Sequence, residues 1–284
     1  MRILLTILFL SLLSISLRSQ DDPKTPEGEL PGIVLIDLAY AMQLPGGDMK
    51  KDFNFNFNFG ARVSYLRPNN WLFGLNGGWL FSDNIKTDVL APLRAENGQI
   101  VEITGNMGLT QLGQRGLYLG AHAGYMLSLS KKKPRRHNLE FRFGAGYLQH
   151  WVRIRIISRP DDLPQLNGPY LRGYDRRTSG PALQQYIGYR YLSKSKLINL
   201  FIGVDITEGF TKNRRYWNYD TREADTKLHL DLLMGFKAGF TIPFMSLFFA
   251  NVHNMSTATF STLNLTTALL VTFFAIFIPS IKEK

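Results

Sequence analysis

Histidine is the side chain best suited to acid–base chemistry at neutral pH, and this chain of 284 residues contains five of them. It contains no cysteine, so thiol catalysis, disulfide scaffolds and cysteine-ligated zinc are excluded. A catalytic histidine needs a serine or an acid within hydrogen-bond reach. His150 is the best candidate for this role, and Asp205 or Glu208 is the group expected to orient it.

The other histidines and the known catalytic motifs point away from catalysis. His122 and His229 alternate with apolar residues in the middle of predicted strands, which indicates a structural role. The chain has no Gly-x-Ser-x-Gly elbow, no His-Glu-x-x-His and no phosphate-binding loop. We therefore predict a non-enzymatic protein without a cofactor or a metal site. The alternative is an enzyme that acts on lipid or peptide through His150.

A second set of chemical groups consists of acids and bases on the polar faces of the predicted strands. Its members are Asp37, Arg62, Glu140, Arg142, Arg190, Asp205, Asp231 and Lys237. They comprise four acids and four bases, and an isolated buried charge would be costly. We therefore expect a lumen charge network of paired groups that fills the interior and leaves no open pore.

The elements that position these groups are defined by strict alternation of apolar and polar residues. The clearest segment is 53–65, where phenylalanine, alanine, valine and tyrosine alternate with asparagine, glycine, arginine and serine. Thirteen residues are enough to cross a bilayer, because a tilted transmembrane strand needs about 9 to 11. A strand of a soluble sandwich is shorter, typically about 5 to 6 residues.

Eight such runs occur, and together they predict an all-β fold. They cover 34–41, 53–65, 71–82, 116–127, 139–147, 187–191, 198–206 and 228–242. An even number of strands with glycine-rich polar faces suits a closed eight-stranded barrel, whose interior is only wide enough for side chains. We predict a transmembrane up-and-down antiparallel β-barrel of about eight strands with a plugged polar lumen. A soluble β-sandwich is the alternative.

The connections between the runs supply an independent indication. Long and short gaps alternate along the chain, at 44–52, 67–70, 83–114, 130–138, 151–182, 193–196 and 208–227. Outer-membrane barrels have long external loops and short periplasmic turns, whereas a sandwich has no reason to keep this parity. Aromatic residues near the strand ends would form the interfacial girdles. These are Tyr65, Trp71, Tyr125, Tyr147, Trp151 and Tyr191.

The two ends of the chain differ from this pattern. Residues 1–19 have a basic start and a short apolar run, which predicts a secretory signal peptide rather than a membrane anchor. Residues 20–32 are a proline-containing periplasmic lead, and 33–244 is the predicted barrel. Residues 245–284 are an atypical apolar tail without alternation. This tail has three interpretations: one or two extra strands, a peripheral apolar segment, or an altered reading frame.

The signal peptide, the eight runs and the loop parity resemble the small, porin-like eight-stranded outer-membrane barrels of Gram-negative bacteria. This resemblance implies a location in the bacterial outer membrane. More loosely, 203–210 together with 214–220 is similar to barrels that accompany type IX secretion. The resemblance implies a structural or protein-interaction role, in the narrower form as an accessory to outer-membrane assembly or secretion machinery. A small passive channel is a further alternative.

The formal net charge is +11, and the predicted periplasmic turns carry much of it without one acid. Besides Arg67, these turns contain a basic rim that comprises Lys131, Lys132, Lys133, Arg135, Arg136, Lys194 and Lys196. Such a rim would bind phosphates of outer-membrane lipids or, alternatively, an acidic periplasmic protein partner. Nucleic acid is not an expected partner outside the cell membrane.

The last predicted long loop combines aromatic and charged residues. The segment comprises Arg214, Arg215, Tyr216, Trp217, Asn218 and Tyr219. Such residues are good interface anchors, so they are the candidates for external contact. Packing within the loop is an equally good explanation of the same composition.

Overall fold

The computed structural model describes residues 32–129, 136–158, 162–168, 170–193 and 199–245. The predicted signal peptide, almost all of the N-terminal lead and the apolar tail after residue 245 lie outside these residues. So do the basic-rim residues other than Arg136. No helix in the described part of the chain combines the length and the apolar character needed to cross a membrane.

Eight long strands form one closed antiparallel barrel, which confirms the predicted fold class. The strands are β1 (Ile33–Gly47), β2 (Asn56–Leu66), β3 (Trp71–Ser82), β6 (Thr110–Ser128), β7 (His137–Ile156), β8 (Thr178–Tyr191), β9 (Leu200–Asn213) and β12 (Leu228–Met245). Neighbours along the chain are neighbours in the sheet, and β1 closes the ring by pairing with both β2 and β12. Closure leaves no unpaired strand edge in the lipid.

The long connections contain small elements of their own. A one-turn helix α1 (Met49–Asp52) follows β1, and the two-residue strands β4 (Ile100–Val101) and β5 (Met107–Gly108) form a hairpin between β3 and β6. Strands β10 (Trp217–Asn218) and β11 (Glu223–Ala224) form another hairpin between β9 and β12. The described parts of these loops also contain three 3-10 turns. They cover Ala91–Leu93, Pro164–Leu166 and Leu171–Gly173.

Several strands are longer at the long-loop end than alternation predicts. The β6–β7 ladder extends as far as the pair Thr110–Ile156, and the β8–β9 ladder extends to Thr178–Asn213. In the extension of β7 the outward-facing residues are Arg153 and Arg155 instead of apolar ones. Apolar alternation therefore ends before the hydrogen-bonded ladder does. As a result, the sequence predicts that these strands end several residues earlier than they do in the structure.

The predicted second strand starts too early. Phe53 was expected to begin it and to face lipid, but β2 begins at Asn56 and Phe53 is only 2% exposed. The chain turns through α1 just before Phe53, which forms a single bridge with Ile85 of the next long loop. Phe53 is thus part of the loop structure, while Phe57 and Phe59 continue along the strand.

The exterior of the barrel carries the apolar surface of a membrane-spanning barrel. Large apolar side chains such as Phe59, Leu75 and Phe143 remain exposed along the strands. Aromatic contacts border this band at both ends. Trp71 lies 5.7 Å from Tyr125 at the short-turn end, and Trp79 lies 5.7 Å from Trp151 at the long-loop end. This arrangement of an apolar band between aromatic girdles is typical of outer-membrane barrels, whose longer loops are external.

Candidate functional site: a filled lumen and a packed outer cap

Asp37 is the centre of the largest charge cluster in the lumen. Arg190 contacts it in a forked arrangement, with both Nη atoms 2.8 Å from its carboxylate oxygens. The guanidinium groups of Arg62 and Arg142 lie 3.2 and 3.3 Å from Asp37 Oδ2. The Thr241 hydroxyl also donates to Asp37, at 2.6 Å. The buried carboxylate of Asp37, on β1, therefore contacts side chains from four other strands of the barrel.

Glu140 provides the second acid of this cluster. It accepts a hydrogen bond of 2.6 Å from Arg190 Nε and forms an ion pair with Arg142. Among the described residues the third arginine, Arg62, pairs with no carboxylate besides Asp37, and it lies over two aromatic rings. Its guanidinium carbon is 4.8 Å from the ring centre of Tyr186 and 4.7 Å from that of Phe201. Cation–π contact offsets part of the charge that the acids leave unpaired.

The other predicted lumen charges form separate, smaller groups. Lys237 donates to Asp205 over 2.8 Å, next to the amide of Gln184. Asp231 lies nearer the external end and pairs with His150 instead of a base from the network. The structure thus places all eight charged residues inside the barrel but divides them into three groups.

His150 lies at the external end of the lumen in a buried polar group. Its Nε2 atom is 2.8 Å from Asp231 Oδ2 and 2.8 Å from the Thr178 hydroxyl. The predicted partners are wrong: Asp205 lies deeper with Lys237, and Glu208 is paired in register with Leu183 and Leu232 on the outward face. The Thr178 hydroxyl also lies 3.3 Å from the Nδ1 atom, so His150 is held between an acid and a hydroxyl that is within reach of both ring nitrogens.

Two other histidines, His122 and His229, have structural contacts. His122 lies within 3.3 Å of Ser64, Asn76 and Arg142 in the lumen. His229 was expected in mid-strand, but β12 begins one residue before it. Its ring nitrogen lies 2.9 Å from Asp225 of the preceding loop. It therefore fixes a loop rather than lining the lumen.

Apolar clusters close the lumen at both ends, and alternation did not indicate them. Leu35, Leu72 and Met126 form the cluster at the periplasmic end. The larger cluster at the external end, here called the outer cap, combines inward-facing strand residues with loop residues. It comprises Met49, Phe53, Leu80, Val89, Leu90, Ile100, Tyr118, Leu148, Val152, Leu163, Leu166, Tyr174, Ala182 and Leu233.

The space left between these layers is small. A cavity of about 20 Å³, lined by residues such as Arg62, Asn76 and Lys237, lies in the lumen. This volume holds about one water molecule. In the described part of the chain, side chains therefore fill the lumen around this cavity.

Arg176 joins three of the external loops beneath the outer surface. Its guanidinium lies 2.6 Å from Asp52 and also forms an ion pair with Asp220. Tyr219, beside Asp220, packs edge-on against Tyr174 with ring centres 5.5 Å apart. These contacts hold the loops to one another and to the outer cap.

Replacing Arg176 by glutamine should loosen this loop arrangement. Asp52 and Asp220 would lose their shared cation, and local opening should become easier by about 1 to 2 kcal/mol. Hydrogen exchange at the Tyr219 amide, which donates to the Gly173 carbonyl, reports this opening directly. The control is Arg172→Gln, which removes a nearby exposed arginine. Equal exchange rates in the two variants would contradict the role of Arg176.

The six residues predicted for external contact have different environments. Arg215 forms an ion pair of 2.5 Å with Asp175, and Arg214 donates to Ser179 over 2.6 Å. Asn218 is buried. Tyr216 and Trp217 are 65% and 44% exposed, and the neighbouring Tyr219 is also exposed. Loop contacts therefore orient the two arginines and bury Asn218, while the side chains of Tyr216 and Trp217 remain available.

Two carboxylates in the external loops have a lowered pKa. Hydrogen bonds from Lys51 and from the Leu230 amide lower the pKa of Asp48 below 3.8. Burial acts to raise the pKa of Asp225, but hydrogen bonds from His229 and Asn213 outweigh it and lower the pKa below 3.8. Both carboxylates favour the folded loops when ionised.

We expect this stabilisation to be complete above the pKa of the unfolded chain and to disappear as the pH falls through the lower folded values. Hydrogen exchange at the Leu230 and Asp225 amides should therefore accelerate, relative to unstructured peptides, as the pH is lowered from about 5 to about 2. Asp225→Asn should reduce this pH dependence. If it left the dependence unchanged, another group would be responsible.

Solved structures that match this chain have low sequence identity to it. Neisserial surface protein A (NspA) is 14% identical with a TM-score of 0.39, covering 77% of this chain and all of that one. A second similar structure is that of Ail, the attachment invasion locus protein of Yersinia pestis, in complex with the heparin analogue sucrose octasulfate. It is 12% identical with a TM-score of 0.38, and the match covers 75% of this chain and 99% of Ail. The outer membrane protein OprG from Pseudomonas aeruginosa is 10% identical with a TM-score of 0.37, and the match covers 76% of this chain and 98% of OprG.

No protein-family model and no curated protein matches the sequence. The assignment of fold and location therefore follows from the chain's own geometry. Eight strands close without an edge, the exterior is apolar between aromatic girdles, and the interior is polar and packed. The protein is an eight-stranded β-barrel of the bacterial outer membrane.

Proposed function

We propose that this barrel is a non-enzymatic protein that acts through its external loop surface by binding another protein. The observation that carries the proposal is the combination of a closed lumen with exposed aromatic side chains on fixed loops. Side chains fill the described lumen, so the exposed loop surface is the part best placed to interact.

The aromatic group suits a protein interface. Tyr216 and Trp217 are large, have few rotatable bonds and project from the β10–β11 hairpin, where Trp217 pairs with Ala224. Aromatic anchors contribute most when their positions are fixed before binding, because less conformational entropy is then lost. The Arg176 and Arg215 ion pairs supply this fixation.

The experiment compares two matched double variants of the full chain in mild detergent. Tyr216→Ser with Trp217→Ser removes the proposed anchors, and Ile103→Ser with Leu109→Ser removes two other exposed apolar side chains from external loops. A stoichiometric partner should be cross-linked to the wild type and to the second variant but not to the first. Equal cross-linking to all three proteins would exclude these anchors.

The identity of such a partner tests the narrower proposal. An accessory role in outer-membrane assembly or secretion machinery requires that the partner be a component of that machinery. If no partner protein were cross-linked to the wild type, this accessory role would be excluded.

Conductance is the test of the passive-channel alternative. The purified wild type should give no discrete current steps in planar bilayers, because the arginine cluster and the apolar layers fill the lumen. Reproducible steps from the wild type would overturn the proposed function.

A further inference from the structure

The outward-facing side of β7, β8 and β9 carries a group of cations at the external end. Arg153 faces outward two residues beyond Trp151 on β7. Arg177 immediately precedes β8, and Arg214 immediately follows β9. The Arg214 amide donates to the Arg177 carbonyl over 2.7 Å, so these two residues are adjacent across the sheet. We call Arg153, Arg177 and Arg214 the outer cation patch.

Two of these side chains are held in place by uncharged groups. The Arg177 guanidinium lies over the Trp151 ring, 5.5 Å from its centre. Arg214 donates to the Ser179 hydroxyl and carbonyl at 2.6 and 3.1 Å and to the Tyr147 hydroxyl at 3.2 Å. Their orientation is therefore fixed without the use of a carboxylate.

The nearby acids are largely engaged by other cations. Asp83 pairs with Arg115 at 3.1 Å, and Asp175 pairs with Arg215 at 2.5 Å. Glu208 also faces outward on β9. It lies six residues before Arg214 along the chain and is therefore closer to the middle of the membrane than the patch is. Among the residues that the structure describes, no carboxylate lies within ion-pair distance of the outer cation patch. Its positive charge is consequently available to an external anion.

Among the described residues, the sector of the barrel next to the patch carries apolar side chains on its exterior. Leu228 is the strand partner of Lys212, and Leu230 is the partner of Phe210, so the neighbouring β12 exterior is apolar at this height. Leu44 on β1 continues the apolar surface, and all three leucines are exposed. A general requirement for solubility or for headgroup contact would distribute cations around the whole barrel.

The depth of the patch identifies the chemistry of its ligand. Trp151, beneath Arg177, forms the external aromatic girdle with Trp79, and such girdles lie at the level of the lipid headgroups. Arginine binds phosphate through two parallel hydrogen bonds, which a fixed guanidinium forms at low entropic cost. We propose that Arg153, Arg177 and Arg214 form a binding site for the phosphate groups of an anionic lipid in the external leaflet.

The test measures the selectivity of the full-chain barrel for brominated phosphatidic acid over brominated phosphatidylcholine. Brominated lipids quench tryptophan fluorescence on contact, and Trp151 lies within the site. The test variant is Arg177→Gln with Arg214→Gln. The control, Arg172→Gln with Arg222→Gln, removes the same charge from exposed loop positions outside the patch. Heat-modifiability on a gel establishes that each variant is folded.

We expect the wild type to prefer phosphatidic acid and the test variant to lose about tenfold of this selectivity, while the control changes less than about twofold. The loss should be smaller at high ionic strength, because salt screens exposed charges. Equal losses in the two variants would show an effect of net charge alone and would overturn the proposal. So would a wild type without preference.

A single variant and a competition experiment complete the test. Arg153 has no partner in the described part of the chain, so Arg153→Gln should fold even if the double variant does not, with a loss of about threefold. Soluble inositol hexaphosphate added to the barrel in neutral detergent tests for a free phosphate ligand. If it bound the patch and phosphatidic acid could not displace it, the site would belong to a soluble polyanion and not to a lipid.

Discussion

Replacement of Arg190 by methionine is expected to lower the free energy of unfolding of the barrel by about 3 to 5 kcal/mol, the cost of breaking a buried ion pair. Arg190 is completely buried and donates to Asp37, Glu140 and Thr241. Methionine fills a similar space but leaves both carboxylates short of a cation. The denaturant midpoint of the gel shift between folded and unfolded forms measures the effect.

A matched control and a second substitution separate charge from volume. Arg67→Met makes the same chemical change at an exposed position in a periplasmic turn and should have little effect. Addition of Glu140→Met to Arg190→Met should restore part of the stability, because one of the two unpaired acids is then removed. A single variant as stable as Arg67→Met would show that Arg62 and Arg142 compensate fully.

Replacement of Phe53 by alanine should destabilise the outer cap by about 3 to 5 kcal/mol, while Phe59→Ala should cost far less. The two residues occupy equivalent positions in the sequence repeat, yet Phe53 is 2% exposed and Phe59 is 44% exposed. Phe53 packs against the outer-cap cluster and edge-on against His150, with ring centres 5.6 Å apart. Phe59 faces lipid, where alanine leaves no internal cavity.

Proteolysis of the external loops together with the unfolding midpoint distinguishes the two outcomes. Phe53→Ala should make the loops susceptible to protease at concentrations that leave Phe59→Ala intact. Equal behaviour of the two variants would restore the alternation-based expectation that Phe53 faces lipid. It would also contradict the packing of the first long loop into the barrel mouth.

Much of the barrel could be predicted from sequence because a strand has a period of two and each face has one environment. The run from Phe57 to Tyr65 identified the outward face, and the charged residues opposite it are inside in the structure. The long and short connections also indicated which end carries the loops. These features depend only on local spacing, so one sequence suffices to find them.

Partners within the lumen could not be predicted in the same way. Arg62 follows Asp37 by 25 positions in the chain and Arg190 follows it by 153, yet both contact its carboxylate. The choice of partner depends on strand stagger and closure, which fix the height of each side chain in the barrel. His150 illustrates the same limit, because its acid is Asp231 on β12 and not a neighbour on β9.

The strand count, the inward and outward faces and the outer-membrane character could be predicted from the amino-acid sequence, because each follows from periodicity, run length and loop parity. Three-dimensional contacts were needed to find the apolar layers at the two ends of the lumen, the place of Phe53 in the outer cap, and the outward sector that Arg153, Arg177 and Arg214 share. Those features arise where loops fold back and where separate strands meet at one height. Their physical basis is long-range packing and register, which local alternation does not encode.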